Sequence, residues 1–211
     1  MNASPGSSAI EFYFDFLSPY GYFAATQIER VSQQYDRQLL WRPFLIGVAV
    51  MQVMGLKPLM ETPLKSDYIL EDLPRMARYL GVPFRLPPGP LNSRAAARAF
   101  YWLDEQDPQL ATEFAKTLLL KQWGEGRNLS DPLAVADQAS QLGISSENLL
   151  EAIRGEAAKD RLREKVAEAI GNGVFGSPFF IVDGQRFWGV DRLFLLEHWL
   201  HWGDYEPRLT D

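Results

Sequence analysis

The sequence predicts an α/β fold in which a strand-helix-strand start and a helix-strand-strand-helix end flank a long all-helical block. Three observations predict it. Aromatic residues alternate along a short run that stops at Ser18-Pro19, a helix-start signal. No strand pattern occurs between Pro58 and about Gly155. Near the end, Asp183-Gly184 is flanked by the short runs 179–182 and 185–188, a strong hairpin signal.

Taken in order, residues 9–16 place Phe12, Phe14 and Phe16 against Glu11, Tyr13 and Asp15, the alternation of a strand. Ser18 as N-cap and Pro19 at the first helical position open a helix to about Tyr35, and an apolar run at residues 39–45 completes a βαβ unit. Stop and start signals then divide the middle into about five helices: 65–80, 93–103, one from Asp107-Pro108 to about Trp123, one from Asp131-Pro132 to Gly143, and 146–154. This block is expected to bury a core of its own. Leu86, Pro87, Pro88 and Pro90 make a stiff loop within it. A charged helix over 156–170 ends at Gly171 and Gly173; strands 179–182 and 185–188 follow, and Asp191 is read as the cap of a last helix over 192–202. The order βαβ, helices, αββα is that of a thioredoxin-like fold with an inserted all-helical domain, divided as residues 8–60, 61–155 and 156–211.

With 211 residues, 46% hydrophobic and 23% charged, the chain is globular and holds one core or two small linked ones. Its formal net charge of -6 gives no electrostatic footprint for nucleic acid. No apolar run reaches the roughly 18 residues of a membrane span, and residues 1–9 lack the features of a secretory signal, so no membrane partner and a cytoplasmic location are expected. The absence of cysteine excludes disulfides, thiolate metal sites and a protein-borne thiol nucleophile. Any thiol chemistry must be borrowed.

Chemistry can sit at two places. Leu17-Ser18-Pro19-Tyr20 lies where a strand meets a helix N-terminus, whose free N–H groups and dipole favour an anion, a ligand thiolate included. Ser18 either donates to that sulfur or only caps its helix. The second is the loop of residues 173–180, where Ser177-Pro178 enters a strand. A cis bond there would expose the Ser177 backbone to a peptide-like ligand; a trans proline would make an ordinary turn. His198 and His201, spaced for one helix face, sit among Trp199 and Trp202 and receive no metal role.

Three segments occur together and in order: Phe14-Asp15-Phe16-Leu17-Ser18-Pro19-Tyr20, Gly173-Val174-Phe175-Gly176-Ser177-Pro178, and Phe187-Trp188-Gly189-Val190-Asp191-Arg192-Leu193. In these the chain resembles the 2-hydroxychromene-2-carboxylate isomerase family, which is similar to the kappa-class glutathione transferases, and the likeness runs from Phe12 to Leu200. The resemblance implies glutathione as cofactor, a small aromatic 2-oxo acid as substrate and a homodimer. It implies that Ser18 faces the glutathione sulfur, that Lys65 pairs with the glycine carboxylate, and that Ser177 and Pro178 pair with the cysteinyl unit. Asp191 would take the γ-glutamyl ammonium group, beside Val190, which stands where kappa-class enzymes have serine. Read without the family, Lys65 is a solvated first-turn charge and Asp191 a helix cap.

One departure stands out. Leu56 occupies the position of a family asparagine and cannot hydrogen-bond, so that contact is lost or supplied by a neighbour such as Lys57. The implied activity is a glutathione-dependent isomerisation of 2-hydroxychromene-2-carboxylate and trans-o-hydroxybenzylidenepyruvate. A kappa-type transferase or peroxidase and a non-catalytic binding protein are the alternatives.

Overall fold

A computed structural model describes residues 8–206; most of the opening segment examined above for a secretory signal, and residues 207–211, lie outside them. The aromatic run forms β1 (Ile10–Phe14), and Phe12 and Phe14 have no exposed surface. It lies inside a four-stranded sheet of order β2-β1-β3-β4, parallel to β2 (Leu39–Pro43) and antiparallel to β3 (Phe179–Val182), which pairs antiparallel with β4 (Gln185–Trp188). Phe12 is opposite Trp41 on one side and Phe180 on the other. Tyr13 is buried as well, since a strand covered on both faces hides both sets of side chains. β1 stops two residues before the expected end because the Asp15 carboxylate accepts the Leu17 N–H at 2.9 Å and bends the chain out of the sheet.

α1 (Pro19–Gln34) begins and ends where its signals place it, with Ser18 as N-cap and Tyr35 as C-cap. The β3-β4 turn carries Asp183 at φ 50° and Gly184 at φ 76°, the paired positive angles of a type I′ hairpin. Arg37 Nη2, from the α1-β2 connection, donates to Asp183 Oδ2 at 3.1 Å and ties the hairpin to the first βαβ unit.

The middle of the chain is helical: α2 (Lys65–Leu80), α3 (Arg94–Asp104), α4 (Pro108–Leu119), α5 (Pro132–Ser140) and α6 (Ser146–Arg154). Asp107 and Asp131 cap α4 and α5 through their side chains, as their Asp-Pro signals predict. The expected extension of α4 to Trp123 is a wider helical turn over Leu120–Gly124. The block does not bury a core of its own. One apolar cluster runs from the sheet into the helices, with the Phe14 and Phe100 ring centroids 6.4 Å apart. Tyr101, on α3, donates its buried hydroxyl to the Pro43 carbonyl at the end of β2, 2.6 Å away.

After α7 (Glu156–Gly171) and the hairpin, the chain enters α8 (Leu193–Trp202) differently from expectation. Asp191 caps nothing. Gly189, at φ 104°, turns the chain first, and Val190–Arg192 coil into one tight turn ahead of α8. Asp191 therefore sits inside that turn, where its carboxylate pairs with Arg192 at 2.7 Å instead of reaching the α8 amides.

Candidate active site

Ser18 is buried, 7% exposed, and both faces of its hydroxyl are engaged. Its Oγ accepts the Gly21 N–H at 3.0 Å, which is the helix cap. The same hydroxyl donates to the Ser177 carbonyl, 2.9 Å away and 159 residues on. The two segments singled out for chemistry are thus joined directly: Ser18 caps its helix and its proton points at the second loop. The Ser177-Pro178 bond is cis. Ser177 Oγ in turn accepts the Asp15 N–H at 2.9 Å, so the β1-α1 turn and the loop are stitched twice.

Two backbone donors are left over at this junction. Neither the Tyr20 N–H, in the first turn of α1, nor the Ser177 N–H has a hydrogen-bond partner among the described residues. Unpaired amides at a helix N-terminus attract negative charge. The Pro178 carbonyl accepts the Gly189 N–H at 3.0 Å, which brings the Val190–Asp191 turn to the same loop. Val190 is buried and Asp191 exposed. Lys65 is the remaining expected residue: exposed at the start of α2, it makes no ion pair among the described residues, and α2 is held to α1 by the Tyr20 hydroxyl donating to Asp72 at 2.7 Å. Leu56 is 53% exposed with Lys57 beside it, also exposed.

The sequence reading missed the groups that hold this junction in place. Asp15, 1% exposed, accepts the Leu17 N–H through Oδ1 and the Ile46 N–H through Oδ2 at 2.7 Å, and it is also hydrogen-bonded to the Ser93 side chain. Burial pushes its carboxyl above the ordinary 3.8, with the three donors and the nearby Arg94 charge opposing that shift. The Phe16 carbonyl accepts from both Gln122 at 2.6 Å and Trp123 at 2.8 Å. Gly21 did carry a signal, as a glycine inside a helix pattern. A Cβ there would stand 2.8 Å from Ser177 Oγ and 3.2 Å from Ser18 Cβ. Gly21→Ala is accordingly expected to cost about 1–3 kcal/mol by wedging α1 from the loop, read as a lowered urea midpoint; an unchanged midpoint would show the contact to be soft.

Fold and junction together define a thioredoxin-type scaffold, and the chain belongs to the family of DSBA-like thioredoxin domains, whose model matches residues 9–201. More particularly, it is 30% identical over 195 residues to the 2-hydroxychromene-2-carboxylate isomerase of Sphingobium xenophagum, covering 92% of this chain and 98% of that protein. It is 29% identical over 209 residues to glutathione S-transferase kappa 1 of Homo sapiens, covering 93% and 92%. The solved structure of a 2-hydroxychromene-2-carboxylate isomerase superposes with a TM-score of 0.84 at 28% identity, over 92% of this chain and 94% of the other. These relatives are isomerases and glutathione transferases, which supports an enzyme of that group. No helix among the described residues is long and apolar enough to cross a membrane.

Proposed function

We propose that the protein is a glutathione-dependent isomerase interconverting 2-hydroxychromene-2-carboxylate and trans-o-hydroxybenzylidenepyruvate. The observation that carries the reading is the Ser18 to Ser177 junction in a chain without cysteine: a thioredoxin-type site that lacks its own sulfur. The residues present fit a bound thiol tripeptide. The free Ser177 amide suits a peptide backbone, the Tyr20 amide and the α1 dipole suit a thiolate, exposed Lys65 suits a carboxylate, and Asp191 suits an ammonium group. When bound, glutathione supplies the thiolate that adds reversibly to a conjugated carbon, so that a double bond becomes a rotatable single one.

The chain's own part is to hold charge and orientation. Ser18 has one proton to give, and it now goes to the Ser177 carbonyl. Turning that proton to a sulfur anion exchanges a neutral hydrogen bond for a charge-assisted one, with the Gly21 N–H still fixing Oγ in place. Asp15 and the Phe16 carbonyl contacts keep the turn from moving as the proton swings.

With purified protein and trans-o-hydroxybenzylidenepyruvate, the ultraviolet spectrum is expected to relax to equilibrium only when glutathione is present, with free thiol constant. Steady thiol loss would point instead to a kappa-type transferase, a reading favoured by the kappa-class relatives. No spectral change together with no calorimetric binding of glutathione would overturn both.

The expected homodimer has support in an apolar stretch after β2, where Met51, Val53, Met54, Leu56, Leu59 and Met60 are all exposed. A second copy covering it gives twice the 24.0 kDa chain mass by light scattering, and Met51→Lys with Leu56→Lys should return the monomer. A wild-type monomer at micromolar concentration would contradict this.

A further inference from the structure

A cleft of about 450 Å³ lies between α3 and α7 where the chain leaves β2, and it contains none of the residues of the Ser18 junction. Its lining is mostly apolar and cationic, with Gln52 the one neutral polar side chain among the described residues. Leu45, Val48, Leu162, Val166 and Ile170 are apolar, whereas Arg94 and Arg98 from α3 and Lys159 and Arg163 from α7 are cationic. Each helix presents its two cations four residues apart, hence on one face.

These charges are unevenly neutralised. Lys159 pairs with Glu156 at 2.6 Å and Arg163 with Asp160, both on the exposed surface of α7. Arg94 and Arg98 have no ion-pair partner among the described residues. The Arg98 Nε is buried without a hydrogen bond, and its Nη1 reaches only the Ile153 carbonyl at 3.4 Å. Burial and the neighbouring Arg94 and Arg163 charges depress the Arg98 guanidinium from its ordinary value, with Glu156 opposing. Arg94 and Arg163 are exposed and Arg94 lies near the Asp15 carboxylate, so the polar cost is concentrated at Arg98, whose buried Nε has no hydrogen bond.

We propose that this cleft binds an amphipathic organic carboxylate, with its apolar body on Leu162, Val166 and Ile170 and its carboxylate forked by Arg98 with Arg94 or Arg163 alongside. The volume suits a compact ring system, and a guanidinium presents two parallel N–H groups to a carboxylate. Inorganic anions share the charge but would leave the floor wet, so the carboxylate with an apolar body is the better fit.

The test is calorimetric titration of the full chain with naphthalene-2-carboxylate, its neutral carboxamide and sodium sulfate. One site per chain is expected for the carboxylate, with the carboxamide and sulfate each at least about tenfold weaker. Arg98→Gln should weaken the carboxylate about tenfold or more, and Ser18→Ala should leave its affinity within about twofold. Ala167→Trp, which fills the cleft from an exposed position without removing charge, should abolish binding whether or not the Arg98 variant folds. Carboxylate affinity indifferent to Ala167→Trp, or lost with Ser18→Ala, would overturn the proposal, as would sulfate binding as tightly as the carboxylate.

Discussion

On the proposed function, Ser18→Ala is expected to lower isomerase turnover about tenfold to a hundredfold, the loss of one hydrogen bond to a charged sulfur worth about 1.5–3 kcal/mol. The fold is touched as well. The hydroxyl both caps α1 and satisfies the buried Ser177 carbonyl, so stability falls by about 1–2 kcal/mol. The two effects separate experimentally: kcat follows the sulfur contact, whereas the urea midpoint follows the cap. A variant with the lowered midpoint and unchanged turnover would confine Ser18 to holding the loop.

The largest stability effect is expected at Asp15. Asp15→Ala strands the Leu17 and Ile46 amides and the Ser93 hydroxyl in a buried place, at a cost of about 3 kcal/mol, a large part of the about 5–15 kcal/mol that holds a domain folded. Asp15→Asn keeps the volume but presents one NH2 to a donor. Its pH dependence has a definite sign. Because the folded carboxyl titrates above the ordinary 3.8, the folded state binds the proton more tightly than the unfolded chain. The proton-linked part of the Asp15 contribution is therefore full below 3.8 and is lost as pH rises through the higher folded value, while its hydrogen bonds remain, so the stability advantage of wild type over Asp15→Asn shrinks upward across that window. Urea unfolding of both proteins along a pH series measures it; an advantage that grows with pH would reverse the assignment.

What was legible in the sequence was local. The α1 start, the Asp-Pro caps of α4 and α5, the span of α2 and the Asp183-Gly184 hairpin each depend on a few adjacent residues, and each lies where those residues place it. Asp191 failed because a glycine two residues earlier had already turned the chain, a competition that residue type alone does not rank. The helical block gave no hint of sharing its core, since the contact of Phe14 with Phe100 is made by tertiary packing. At the site, the types of Ser18 and Ser177 were readable, but not the bond between them. Nor was the bracing of the Phe16 carbonyl by Gln122, 106 residues away. A buried aspartate at the end of an aromatic strand reads as an ordinary turn residue until the amides that surround it are known.

The central claim is that Ser18 and the start of α1 hold a borrowed sulfur as its anion. The thiolate absorbance of glutathione bound at saturation, followed against pH in wild type and in Ser18→Ala, tests it most directly. The bound thiol is predicted to titrate well below the roughly 8.5 of a free thiol, and to move back toward it in the variant. A bound thiol that titrates like free glutathione in the wild-type protein would contradict the account.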